Sequence, residues 1–181
     1  AFARWNYEPA RAMWMERLTK ADRVPRSELV LAIQCLGQVK YDEAINDCQK
    51  IALSSRFDIG LRVTAARTLA ELAPSGLDET AEKLLARRET ESALVGATLL
   101  RNHKGEAVEQ ILLGLLEHTS PTVAAMAWEQ LNRLNPDQIS TAVLGKTCSA
   151  RDARLRLHAV QNGNLRTALP VELLTTALDD H

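Results

Sequence analysis

The chain is poor in aromatic side chains, with three Trp, two Tyr and two Phe in 181 residues. Its core must therefore be built from Ala, Leu, Val and Ile, which suits helix packed on helix better than a β-sandwich. Cysteine is scarce too. Cys35, Cys48 and Cys148 are odd in number and match no metal or redox spacing. Cys35 and Cys48 fall on apolar stripes and read as buried small hydrophobes, with a Cys35–Cys48 disulfide across paired helices as the alternative. Purely apolar runs are only a few residues long, far short of a bilayer span. The start has no basic segment followed by an apolar one, so no signal peptide is expected. Lys and Arg number 22 against 23 Asp and Glu, a balance that gives no general attraction to nucleic acid or an anionic membrane.

Chemistry-bearing patterns are missing as well. The four histidines, His103, His118, His158 and His181, form neither H-x-x-x-H nor E-x-x-H, so no metal site is assigned. No serine lies in G-x-S-x-G and no Gly-rich loop reads as a phosphate cradle. No catalytic residue and no cofactor is expected. His103 and His118 fall at predicted helix C-termini, where an imidazolium suits the helix dipole. Arg151, Arg154, Arg156 and Arg166 cluster late in the chain, and Arg87-Arg88 ends a helix. With few aromatics between them and Asp179-Asp180 close by, the arginines read as a solvated face rather than a phosphate-binding patch.

What the chain does have is a repeat. Residues 58–72 read DIGLRVTAARTLAEL. Asp58 is a good N-cap, since its carboxylate can accept from free N–H groups of the first turn. Ile59, Val63, Ala66, Ala70 and Ala73 fall at helical spacing, and Leu61, Ala65, Leu69 and Leu72 widen the stripe. Thr64, Arg67, Thr68 and Glu71 are left as the polar face. A helix apolar over most of its circumference wants neighbours on several sides. A shift of thirty-one residues aligns Leu61 with Ser92 and Val123, Ala65 with Gly96 and Ala127, and Leu69 with Leu100 and Leu131. One row stays small, so backbones can approach; another stays Leu and fills the seam. Gly inside a helix costs about 1 kcal/mol relative to Ala, so Gly96 has a packing reason to be there.

Asp58, Leu61-Arg62, Ala65-Ala66 and Leu69 fit D-x-x-V-R-x-x-A-A-x-x-L, the first-helix pattern of the HEAT-repeat family. The chain resembles that family in its short form of about thirty residues, also seen in phycobilisome-lyase-like repeats. The likeness spans residues 25–180 and is specific over 58–135; Ala93-Leu94 and Val123-Ala124 lack the Arg. It implies an all-α fold and carries over no catalytic residue.

Helices are predicted over 9–20, 27–36 (stopped by Gly37), 41–53, 58–72 (stopped by Pro74 and Gly76), 77–88, 90–102, 106–117, 121–134, 136–144 (stopped by Gly145), 151–161 (stopped by Asn162-Gly163) and 170–178. Ser75 with Asp78, and Asn135 with Gln138, suggest capping boxes. Thr90 and Ser120 read as N-caps, Ser120 followed by Pro121. After the first helix, the rest form five antiparallel pairs starting near 27, 58, 90, 120 and 151. The expected architecture is one domain, a right-handed α-solenoid over residues 1–181, with 1–24 as an N-terminal capping segment. Phe2, Trp5, Tyr7 and Trp14 read as part of that cap, or as a docking surface for a neighbouring domain. The second helix of each pair would line a concave surface exposing Asp42, Asp47, Glu79, Lys83, Glu109 and Gln110. The expected function is non-catalytic: a module binding another protein or a neighbouring domain of its own chain, or scaffolding an assembly. The alternative is a helical accessory domain of a larger enzyme, aminopeptidase-like or other. Nucleic-acid binding through the arginines ranks last, and no membrane role is expected. Far-UV circular dichroism should be dominated by helix; a strand content above about a fifth, the ordinary share in globular domains, would overturn the all-α reading.

Overall fold

The computed structural model describes residues 6–73, 75–134, 141–150, 152–166 and 171–178, and among these it is all-helical, with no strand. The helices are α1 (Glu8–Thr19), α2 (Arg26–Gln38), α3 (Ile45–Leu53), α4 (Ile59–Leu72), α5 (Asp78–Leu85), α6 (Thr90–Leu99), α7 (Glu106–Leu115), α8 (Pro121–Leu134), α9 (Thr141–Cys148), α10 (Ala153–Arg166) and α11 (Val171–Leu178). None is long and apolar enough, over the described residues, to cross a membrane.

Several starts follow from local chemistry. Asp58 Oδ1 accepts the Leu61 amide at 3.2 Å and caps α4. Pro9 sits in the first turn of α1 and Pro121 opens α8, where a missing N–H costs nothing. Glycine misled at the stops. Gly37 lies inside α2, buried, and a Cβ there would come within 3.0 Å of the Thr68 methyl, so the glycine serves packing. Gly145 and Asn162-Gly163 likewise lie within α9 and α10. The boxes at Asn135 and Gln138, and the stop at Pro74, fall outside the described residues.

The helices gather into two compact units, Ala1–His103 and Lys104–His181. In the first, α4 is central and packs against α2, α3 and α6, while α1 lies on α2 and α5 on α6. Eight of α4's fourteen residues are buried, which accounts for its nearly circumferential apolar character. Thr68 belongs to that interior and not to a polar face: it is 4% exposed, with its hydroxyl 3.4 Å from the Ile33 carbonyl. In the second unit α7 packs on α8, α9 on α10, and α11 against both α9 and α10.

The aligned rows are buried in every copy: Leu61, Ser92 and Val123; Ala65, Gly96 and Ala127; Leu69, Leu100 and Leu131. The phase of the pairing differs from the sequence expectation. The tight hairpins are α3–α4, α5–α6, α7–α8 and α9–α10, whereas the expected pairs α2–α3 and α4–α5 make little contact. Gly96 shows why. A Cβ on it would stand 3.2 Å from the Ala81 carbonyl oxygen and 3.3 Å from Leu85 Cγ, both in α5. The small row therefore sets the approach to the helix before it, not after it.

Gly96→Val should accordingly destabilise the protein by about 1–3 kcal/mol through overpacking, although Val forms helix no worse than Gly. Gly96→Ala should stay near the parent, because α5 has to give only a few tenths of an ångström. Chemical denaturation checks both. A Gly96→Val variant as stable as the parent would show that the close approach is not what the row is for.

Candidate functional site

The six surface residues singled out from the sequence fall on separate elements. Asp42 is exposed in a single 3-10 turn, Asp42–Ala44, that precedes α3. Asp47, half-buried on α3, holds Lys50 at 2.8 Å. Glu79 and Lys83 are both exposed on α5 and stand 3.6 Å apart. Glu109, half-buried, and Gln110, exposed, lie on α7 in the second unit. Asp47 and Glu79 are thus partnered within their own helices, and such exposed pairs contribute well under about 1 kcal/mol.

The aromatic group divides. Trp14 is only 4% exposed and packs in the core with Ala10 and Leu18, so it offers nothing to a partner. Tyr7, just before α1, is 51% exposed. Phe2 and Trp5 lie outside the described residues.

Two crevices occupy corresponding places, each where the chain turns between helices. In the first unit Arg26 reaches Asp58 at 2.9 Å and Arg56 reaches Asp22 at 2.6 Å, tying the turn before α2 to the turn before α4 beside a hollow of about 320 Å³. In the second, Lys146 meets Glu117 at 2.9 Å beside a hollow of about 350 Å³ that His118 and Asp152 also line. Charge is balanced in the first, and in the second Glu117 and Asp152 outnumber Lys146, so neither has the excess positive field that an anionic ligand requires.

The three thiols are free. Burial, with the neighbouring Asp47 charge, pushes the Cys48 thiol up to about 12, and burial raises Cys35 and Cys148 as well. A thiol so placed is a poor nucleophile at neutral pH. Among the described residues no cluster of His, Cys, Asp and Glu is placed to hold a metal ion.

The arginine and histidine readings need correction. Arg156 is 6% exposed, not part of a solvated face: its Nε donates to the Ala177 carbonyl at 3.1 Å and its Nη1 to the Ala150 carbonyl at 3.0 Å. Arg154 is exposed, Arg151 lies outside the described residues, and so does the Arg166 side chain. His103 is buried at 3% exposure and its Nε2 accepts the Leu77 amide at 3.3 Å; His118 Nδ1 accepts the Ser120 amide at 3.0 Å. Both rings thus act as acceptors at helix entrances, a task the imidazolium cannot perform. The entrance to α5 has no side-chain cap of its own, so the expected Ser75–Asp78 box is replaced by a ring from twenty-six residues on.

Compared with protein-family models, curated proteins and solved structures, the chain matches none.

Its internal likeness is clearer. Arg62 is 2% exposed; its Nε donates to the Ala52 carbonyl at 3.2 Å in the last turn of α3, and its Nη1 lies 3.3 Å from Glu91. Arg62 and Arg156 thus do one job, closing carbonyls left open at helix C-termini where a cation also suits the dipole. The signal was present in the sequence. Asp58, Leu61, Arg62 and Ala65 recur as Asp152, Leu155, Arg156 and Ala159, with Leu155 and Ala159 buried like their counterparts. Arg62→Met should cost about 1–3 kcal/mol, the penalty of a buried carbonyl left without its donor. Glu91→Gln should stay within about 0.5 kcal/mol, since that carboxylate is 62% exposed. Urea denaturation of the two variants separates these; equal effects would show that the ion pair, not the carbonyl clamp, is what counts.

Proposed function

We propose that the chain is a non-catalytic helical-repeat module, an α-solenoid of the short HEAT kind, that binds a protein partner or a neighbouring domain of its own polypeptide. The carrying observation is the use of its interior. Ala, Leu and Val rows fill the seams between helices, and the two buried guanidiniums are spent on helix-end carbonyls. What remains for recognition is the outward surface of the shorter helices α3, α5 and α7, where exposed groups recur in each repeat. The alternative, a helical accessory domain of a larger enzyme, uses the same surface in cis. Nucleic acid is disfavoured further by Arg156, which is withdrawn from the basic cluster into the interior.

The test is site-specific photocrosslinking in the source cells. A photoreactive residue at Glu79 or Gln110 should capture a discrete partner, or another segment of the same polypeptide. One at Arg67 on α4 or Glu129 on α8 should not. Lys83→Glu should abolish capture at Glu79 and change the yield at Gln110 little if the two units act separately. Equal capture from all positions, or none, would overturn the proposal.

A further inference from the structure

His103 ends the first unit, and its ring is buried against the entrance of α5. Because Nε2 accepts the Leu77 amide, the folded state holds the neutral ring with its proton on Nδ1. Nδ1 itself is buried and meets no partner at hydrogen-bonding geometry. A second proton would set an N–H against the Leu77 N–H at 3.3 Å and leave two donors facing each other.

We propose that His103 is a proton-operated latch on α5: the neutral ring holds the first turn closed, and protonation opens that turn while α4 stays folded.

The neighbourhood makes the opening local. α5 has eight residues, and Leu77, Ala81 and Leu84 are its buried anchors, against eight buried residues in α4. Before α5 stand exposed Ser75 and Gly76; Gly76 has φ +80, a left-handed conformation that glycine adopts without strain and can leave as easily. The charged groups around the ring are few. Residues 72–77 carry none, and Glu71 before them is exposed. Arg101 and Lys104 flank the histidine in the chain, one half-buried and one exposed, and Glu91 at the far end of α6 is engaged by Arg62. Asp78, in the first turn of α5, is the charged group that acts on the ring. It gives the released imidazolium a carboxylate to meet at the surface.

Burial lowers the proton affinity of the ring below that of a free histidine, while the Ser75 carbonyl and Asp78 oppose that effect. The sign follows. A folded-state value below the unfolded one means that the unfolded chain takes up the proton first. The contribution of the latch is therefore complete above the ordinary histidine range and is lost as pH falls through that range toward the lower folded value.

The experiment is residue-resolved amide exchange on the whole chain, corrected for intrinsic rates, between about pH 7.5 and about pH 5. The amides to watch are Leu77, held by the ring, and Ala81, which donates to the Leu77 carbonyl at 2.9 Å. Their protection should fall as the pH is lowered through that range, while α4 amides such as Ala70 keep theirs. In His103→Gln, whose side-chain oxygen can still accept from Leu77 but does not titrate, the loss should vanish. Asp78→Asn should shift the loss to lower pH. Should His103→Gln fail to fold, the parent protein decides: the His103 ring signals and the Leu77 amide must titrate with one midpoint. An unchanged loss in His103→Gln, a parallel loss in α4, or separate midpoints would overturn the latch.

Discussion

The structure depends on how closely two helix backbones can approach. At Gly96 the backbone of α6 comes so near the Ala81 carbonyl that a single methyl group would already be tight. Ala65 and Ala127 hold the same place in other copies, each fully buried. With so few aromatic residues, no large side chain is available to fill a wide seam, so the seams must be narrow. Narrow seams in turn leave helix ends enclosed, and enclosed ends need donors and acceptors brought from elsewhere. The buried arginines and the acceptor histidines follow from the same constraint as the alanines.

Arg62 and His103 are two answers to one accounting problem. Every helix leaves carbonyls open at its end and amides open at its start. Where water reaches, neither needs help, as at exposed Glu89 before α6, which makes no side-chain cap. Where packing excludes water, Arg62 and Arg156 supply cationic donors to carbonyls, and His103 supplies an acceptor to an amide. The chemistry is that of secondary structure, delivered by side chains remote in the sequence.

This explains which parts of the fold could be read from the chain. The Asp58 cap, Pro121 and the thirty-one-residue rows were legible because each is a local or strictly periodic signal. Gly37, Gly145 and Gly163 were misleading as helix stops, and at Gly37 the reason is plain: glycine chosen for contact looks the same in sequence as glycine chosen for a turn. The phase of the pairing was not legible either: a small residue announces a close neighbour but not which one. Arg156 read as surface because charge usually is, although the Asp-x-x-Leu-Arg string it shares with Arg62 could have corrected that reading. His103 had no local signature, its partner Leu77 being a long-range one. Of the surface residues named from sequence, Glu79 with Lys83 and Asp47 with Lys50 proved to be pairs within one helix, and Trp14 belonged to the core.

The scarcity of tryptophan has an optical consequence. Trp14 is buried in the first unit and Trp128, 5% exposed, in the second. With Trp5 replaced by Phe, each unit would carry a single indole in an apolar setting, so emission from one and then the other could be silenced by a further Trp→Phe change. The chain thus contains its own pair of reporters for whether the two halves melt together or in succession.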